Sequence, residues 1–259
     1  MRLAVVGHVE FVETVEVDHV PAPGQIAHGL ESWAEPAGGG SVVAAQVLKL
    51  NGACDFYTAL GEDDLGRRSA ERLAGLGLDL HVQWLGLTRR AFVHVDRDRD
   101  RTITTVGPKL LPAGPLPLDD YDGVFFIAGD VAALRSARGA GFLAATPREL
   151  PTLRAGGVRL DLLVGSGTDP GEAYDGSLDV GIFVATQGAR GGVANGERYE
   201  AAAPPGPLED AYGAGDSFSA ALFFALTRGD TLAAALDLAT RAGASVVTGK
   251  GPYTAQISS

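Results

Sequence analysis

Short unbroken apolar runs alternate along this chain with segments whose apolar residues recur at helical spacing. Leu3-Ala4-Val5-Val6, closed by Gly7, predicts a strand buried on both faces, as at the centre of a parallel sheet. Asp55 to Leu60, Asp122 to Ile127, Gly141 to Thr146, Asp161 to Val164 and Gly181 to Thr186 read the same way. Helical patterns fall between or after them: Ser41 to Leu48, Asp64 to about Leu76, Val131 to Arg138, Leu150 to Ala155, Ser217 to Leu226 and Leu232 to Val247. Strand–helix units of this length imply right-handed crossovers and a mostly parallel sheet with helices on its faces.

Two stretches have a different period. From Val9 to Val17, Val9, Phe11, Val15 and Val17 are interspersed with Glu10, Glu13, Glu16 and Asp18, which predicts an antiparallel strand with one wet face. Pro21-Ala22-Pro23-Gly24 turns the chain, and Gln25 to Trp33 returns as a second strand. Arg89 to Val95 and Arg101 to Val106 flank the solvated run Asp96-Arg97-Asp98-Arg99-Asp100, an exposed hairpin tip. Arg101 and Thr102 lie on the arm that can face a cleft. Pro108 to Pro117 leads back to the core.

With 259 residues, 46% of them hydrophobic, the chain has material for one large core. The net charge of −11, without a basic stripe, argues against a nucleic-acid surface. The single cysteine, Cys54, excludes an internal disulfide, sits in an apolar run as a buried structural thiol, and fits a reducing compartment. No signal-like segment or membrane-length apolar run is present, so a cytoplasmic protein with no membrane partner is expected. The first strand lacks a Gly-x-Gly-x-x-Gly turn, which argues against a nicotinamide-dependent oxidoreductase. Gly249-Lys250-Gly251 lacks the spacing and the Ser or Thr of a phosphate-binding P-loop.

The strongest chemical signal is Asp210-Ala211-Tyr212-Gly213-Ala214-Gly215-Asp216, opening the apolar helix from Ser217. A glycine turn at a helix start presents unpaired N–H groups at the positive end of the helix dipole. Asp216 in that first turn either complements the dipole or acts as a base beside an anion cradle. Three further stretches carry candidate chemistry. Gly38-Gly39-Gly40 opens the helix from Ser41 and permits close approach of a ligand. Thr186-Gln187-Gly188-Ala189-Arg190-Gly191 ends a strand in a glycine-rich turn suited to a phosphate tail. Asp169 and Glu172 follow the strand ending near Val164, and Mg²⁺ needs few carboxylates because it keeps most of its waters.

The 210–216 stretch resembles the Asp-Thr-x-Gly-Ala-Gly-Asp signature of the PfkB (ribokinase-like) carbohydrate and nucleoside kinases, departing at Ala211. Gly38, Gly39 and Gly40 resemble that family's Gly-Gly element, with Val42 or Val43 in place of its Asn. Thr186, Gly188 and Gly191 resemble its Thr-x-Gly-x-x-Gly turn. Gly61, Asp63 and Gly66 resemble its Gly-x-Asp-x-x-Gly corner, where dipole complementation explains the acids. Of its Asp-x-Asn-x-Arg motif only Arg148 persists, and 165–172 stands at the place of its Asn-x-x-Glu.

The resemblance implies a ribokinase-like three-layer α/β/α sandwich, a single domain over 1–259, with lid segments at about 9–34 and 88–107. It implies phosphorylation of a hydroxyl of a small sugar or sugar derivative by ATP. By the same resemblance Asp216 is the base, and Gly213, Ala214 and Gly215 form the anion hole. Glu10, with Val12 at the usual Asp position, and Gly38, Gly39 and Gly40 contact substrate. Thr186, Gly188, Arg190 and Gly191 hold the nucleotide, with Gly243 and Ala244 near its base. Asp169 or Glu172 positions magnesium through water, and a monovalent cation binds near Asp210. A homodimer formed through the lid occurs in some relatives. Two other readings stay open: a nucleoside kinase using an apolar slot near Phe11 and Trp33, and a catalytically feeble sugar-binding regulator, suggested by the altered motifs.

Overall fold

In the computed structural model, which describes residues 1–258, nine strands form one sheet and four form another. The large sheet contains β1 (Leu3–Val6), β4 (Asp55–Leu60), β5 (Asp79–Trp84), β8 (Gly123–Phe126), β9 (Phe142–Ala145), β10 (Leu160–Ser166), β11 (Val180–Thr186), β12 (Gly192–Ala194) and β13 (Glu197–Tyr199). Their order is β13-β12-β11-β10-β9-β8-β1-β4-β5. All pairs from β11 through β5 are parallel, and the short β12 and β13 add an antiparallel edge.

Alternate residues of each strand feed two cores. Leu3, Val5, Phe56, Phe125, Leu162 and Val184 pack on one face under helices α1 (Gly39–Asn51), α2 (Asp64–Gly75), α5 (Ala214–Thr227) and α6 (Leu232–Val246). Ala4, Val6, Val124, Phe126, Leu143 and Leu163 pack on the other under α3 (Val131–Ala137) and α4 (Leu150–Gly156). A sheet buried on both faces explains why its strands are continuous apolar runs. The result is the expected three-layer α/β/α sandwich.

The small sheet has the order β3-β2-β6-β7, from β2 (Glu10–Val17), β3 (Gly29–Ala37), β6 (Arg90–Val95) and β7 (Arg101–Val106). Its strands come from the two segments with alternating pattern. One expectation needs correction: β2 pairs antiparallel with β3 but parallel with β6, so the small sheet is mixed. Entry directly from β1 makes β2 a central strand, and most of its residues are buried. The return strand also starts later and runs further than Gln25 to Trp33 suggested, reaching Ala37 and delivering the chain to α1.

Strand β5 was not evident from the pattern. Its sequence Asp-Leu-His-Val-Gln-Trp alternates on a half-covered edge, where polar residues meet water. Local chemistry otherwise sets the boundaries. Asp63 caps α2 by accepting from the Gly66 N–H at 2.8 Å, and it also accepts from Thr88. Gly52, at φ 80°, closes α1 and donates its N–H to Leu48. Among the described residues no helix is long and apolar enough to cross a membrane.

Candidate active site

The C-terminal ends of β1, β8, β9, β10 and β11 open into one cavity of about 430 Å³. Ligands of open α/β sheets bind at this edge because the strand ends and the helix N-termini converge there. The start of α5 forms one wall, and Arg89 and Arg101 reach in from the small sheet.

Helix α5 begins where Gly213 takes φ 83°, a left-handed conformation that bulky residues resist. A β-carbon there would come within 2.9 Å of Val42 and Pro252. Gly215 and Asp216 both line the cavity, and first-turn amides have no intrahelical acceptor. The Asp216 carboxylate lies against Gly39, 3.2 Å from where a β-carbon on that glycine would sit. Burial pushes Asp216 up to about 6; Glu172 reinforces this, while Arg101 and Arg148 oppose it. The neighbouring Tyr212 hydroxyl accepts the Gly38 N–H at 3.2 Å, which ties α5 to the start of α1.

Asp210 is 6% exposed and accepts N–H bonds from Tyr212 at 2.9 Å and Gly251 at 3.2 Å. Its carboxylate therefore locks the approach to α5 onto the C-terminal loop. Glu35 and Asp210 together face a second, water-sized cavity of about 10 Å³.

At the β1 end stand His8 and Glu10. His8 Nδ1 is buried without a hydrogen-bond partner. Burial, then Lys109, Arg89 and Arg148, hold its imidazole down at about 3, so it is neutral at physiological pH. Glu10 is buried rather than solvated, with Oε1 2.8 Å from Arg89 Nε and 3.8 Å from His8 Nε2.

Further round the rim, Lys109 contacts Glu149 at 2.8 Å. Arg148 bridges Asp169 at 2.6 Å and Glu172 at 2.8 Å, and Glu172 also accepts the Ser166 N–H at 2.6 Å. The retained arginine and the two candidate magnesium carboxylates thus form one network. Glu172 lines the cavity, whereas Asp169 does not; it caps a short turn through the Gly171 N–H. Of the two carboxylates, Glu172 is the one that could hold a magnesium ion in the cavity through water.

Of the other sequence candidates, Gly38, Gly39 and Thr186 line the cavity with Asp216, Gly213, Gly215 and Glu10. Gly40, Gly191 and Gly243 have packing positions. A β-carbon on Gly40 would lie 2.6 Å from the His8 carbonyl oxygen, so this glycine seats α1 against β1. Gly191, at φ 76°, turns β11 into β12 against the Tyr199 carbonyl. Gly243 lets α6 approach α5 near the Ala214 carbonyl and Phe218. Ala214, Gly188 and the exposed Arg190 are not part of the cavity wall either. Arg89, Lys109 and Tyr212 do line it, although the sequence pattern did not single them out. The available signal was a basic residue at each stem of the β6–β7 hairpin. Asp55, Asp79 and His81 cluster at the opposite ends of β4 and β5 and take no part.

This sandwich, with its small sheet beside the strand ends, is the fold of the ribokinase-like carbohydrate and nucleoside kinases. Residues 173–258 match the family model described as pfkB family carbohydrate kinase, a span that contains the whole of α5 and its glycine turn. The Methanocaldococcus jannaschii nucleoside kinase, an archaeal member of the ribokinase family, is 18% identical with a TM-score of 0.79, over 100% of this chain and 95% of that one. The Thermotoga maritima ribokinase is 22% identical with a TM-score of 0.77, over 100% and 96%. The Arabidopsis thaliana ribokinase, solved with ribose and ATP, is 21% identical with a TM-score of 0.77, over 99% and 96%. A search of curated proteins found no match.

Proposed function

We propose that this protein transfers the γ-phosphoryl group of ATP to a hydroxyl of a small sugar or sugar derivative, with Asp216 as the base. The observation that carries this reading is Asp216 itself: a half-buried carboxylate in the first turn of α5, facing the cavity beside Gly39. Phosphoryl transfer requires positioning, neutralisation of charge and a proton acceptor for the attacking hydroxyl. The amides of Gly215 and Asp216 supply donors for the transferring group. Asp216 takes the hydroxyl proton, and its elevated pKa brings its basicity closer to neutral pH. Thr186, at the end of β11, and Glu10, Gly38 and Gly39 all line the cavity; in this reading Thr186 takes the nucleotide and the other three the acceptor. Magnesium, held through water by Glu172, would neutralise charge on the phosphate oxygens. A monovalent cation near Asp210 and Glu35 would brace the loop entering α5. The small sheet, carrying Arg89 and Arg101 over the cavity, serves as the lid that excludes water. ADP release with Mg-ATP against a panel of sugars, sugar derivatives and nucleosides tests the reading; silence across the panel would overturn it.

A nucleoside acceptor has less support here. Phe11 is buried under the Arg68 guanidinium, and Trp33 lies under Lys250 beside the second cavity, so neither offers the large cavity an apolar slot.

Activity is expected to follow ionisation of Asp216. Because the base must be deprotonated, kcat/KM should fall about tenfold per pH unit below about 6. Glu172 raises this pKa and Arg148 lowers it. The acid limb should therefore move to lower pH in Glu172→Gln and to higher pH in Arg148→Gln. A pH–rate profile of each variant checks the sign. Gly215→Ala gives a second test, since a β-carbon there meets nothing within 4 Å. Replacing a helical glycine should stabilise by up to about 1 kcal/mol. The methyl group, however, occupies the side open to the phosphates, so the KM for ATP should rise while the melting temperature does not fall.

A further inference from the structure

The chain carries 32 acidic and only 21 basic side chains, yet four of those basic residues, Arg89, Arg101, Lys109 and Arg148, line one cavity. They differ in their carboxylate partners. Arg148 is bound to Asp169 and Glu172 beyond β9, toward the Thr186 side. Arg89 is bound to Glu10 beyond β1, Lys109 contacts Glu149 beyond β9, and all three act on His8. Successive strands are about 4.8 Å apart, so the ends of β1 and β11 are separated by roughly 20 Å, enough for two ligands side by side.

The side-chain acceptors at the β1 end are one imidazole, His8, and one carboxylate, Glu10. His8 is neutral with an orphaned buried Nδ1, and the Glu10 carboxylate is already engaged by Arg89. Donors are plentiful by comparison. Arg101, projecting from β7, lies 5.4 Å over the Tyr212 ring. It is the cavity cation without a carboxylate within 4.0 Å among the described residues. Guanidinium forks match phosphate and carboxylate geometry, and an anion gains most from such donors where water is partly excluded.

We infer that the acceptor is an anionic sugar derivative, carrying a phosphate or a carboxylate, whose charged group is received by Arg89, Arg101 and Lys109. This rests on the kinase reading of the same cavity. The attacking hydroxyl then lies at the other end of the acceptor, against Asp216, and gives up its proton there as the new O–P bond forms and ADP leaves. Arg89 and Lys109 come from the stems of the lid hairpin and Arg101 from its outer strand, so the acceptor's own charge draws the lid down.

The test compares matched neutral pentoses and hexoses, their terminal monophosphates and the corresponding sugar acids, by ADP release and, without ATP, by calorimetric binding. The charged member of at least one set should exceed its neutral parent at least tenfold in kcat/KM. Phosphate and acid arms distinguish the two anions. Arg101→Gln is the first variant, because it orphans no carboxylate; Arg89→Lys and Lys109→Gln follow. Each should raise the KM or Kd for the charged acceptor at least tenfold, and by at least fivefold more than it changes that for the neutral parent. Preference for the neutral parent, or an unchanged charged-acceptor KM in all three variants, would overturn the inference and leave the kinase standing. Absent any turnover, charged-sugar binding that the variants weaken would uphold the anion site and overturn the kinase reading. Absence of binding by every charged sugar would overturn the anion site.

Discussion

Asp216→Asn is expected to lower kcat by about 10²–10⁴-fold, the range that a positioned proton acceptor contributes, while ATP binding stays within a few-fold. The same substitution should make the protein more stable. A carboxyl that burial pushes up to about 6 in the folded chain, from an ordinary value of 3.8, binds its proton more tightly folded than unfolded. Such a group favours the folded state most below pH 3.8, and that contribution is lost as pH rises through about 6. At neutral pH its ionised form costs the fold on the order of 1–3 kcal/mol. Asn has no such charge, so its melting temperature should rise by about 2–4 °C per kcal/mol recovered. Loss of activity together with a gain in stability would mark Asp216 as a functional group maintained against the fold's interest. Full activity in Asp216→Asn would sink the assignment of the base.

Gly40→Ala is the second large effect, by a different route. The added methyl group would meet the His8 carbonyl oxygen at 2.6 Å and the backbone of Gly7 and His8 at 2.8 Å. None of these atoms can rotate away, so α1 must move off the end of β1. Such overpacking costs typically 1–3 kcal/mol. Gly39 and His8 both line the cavity, so the displacement also reaches the acceptor site. A shift of about 1 Å in a positioning element can cost about 10²-fold in rate. Thermal unfolding and kcat/KM should both fall. Retention of both would show that the α1–β1 contact is looser than the structure has it.

These two glycine and aspartate positions illustrate what could be read from residues alone. The buried strands were legible because a parallel sheet covered on both faces demands continuous apolar runs, as in Leu3–Val6 and Gly123–Phe126. The start of α5 was legible because Gly213 and Gly215 have few other uses immediately before an apolar helix. Strand β5 was not legible, since an edge strand with Asp79, His81 and Gln83 has the composition of a loop. The pairing of β2 with β6 was also hidden. Alternation reports which side chains are wet, but the direction of the partner strand depends on a segment 79 residues away.

Glycines were the least separable residues in the sequence. Gly38, Gly39 and Gly40 are identical in local pattern, yet two line the cavity and the third packs against β1. In the same way the Thr186 turn is split, with Thr186 in the wall and Gly191 spent on a backbone turn. A missing β-carbon permits both ligand approach and tight packing, and only its neighbours decide which is used.

The sequence by itself determined the layered α/β architecture, the two inserted segments that build the small sheet, and the carboxylate at the head of α5. Each of these follows from short-range periodicity or from a backbone turn that few residues allow. Only the tertiary structure decided the electrostatics of the site. Arg89, Arg101, Lys109 and Arg148 are scattered over some 60 residues, and nothing local gathers them. The β6–β7 hairpin brings Arg89, Arg101 and Lys109 to the strand ends where Arg148, beyond β9, already lies. Charge acts through space, and spatial proximity between distant segments is set by the fold.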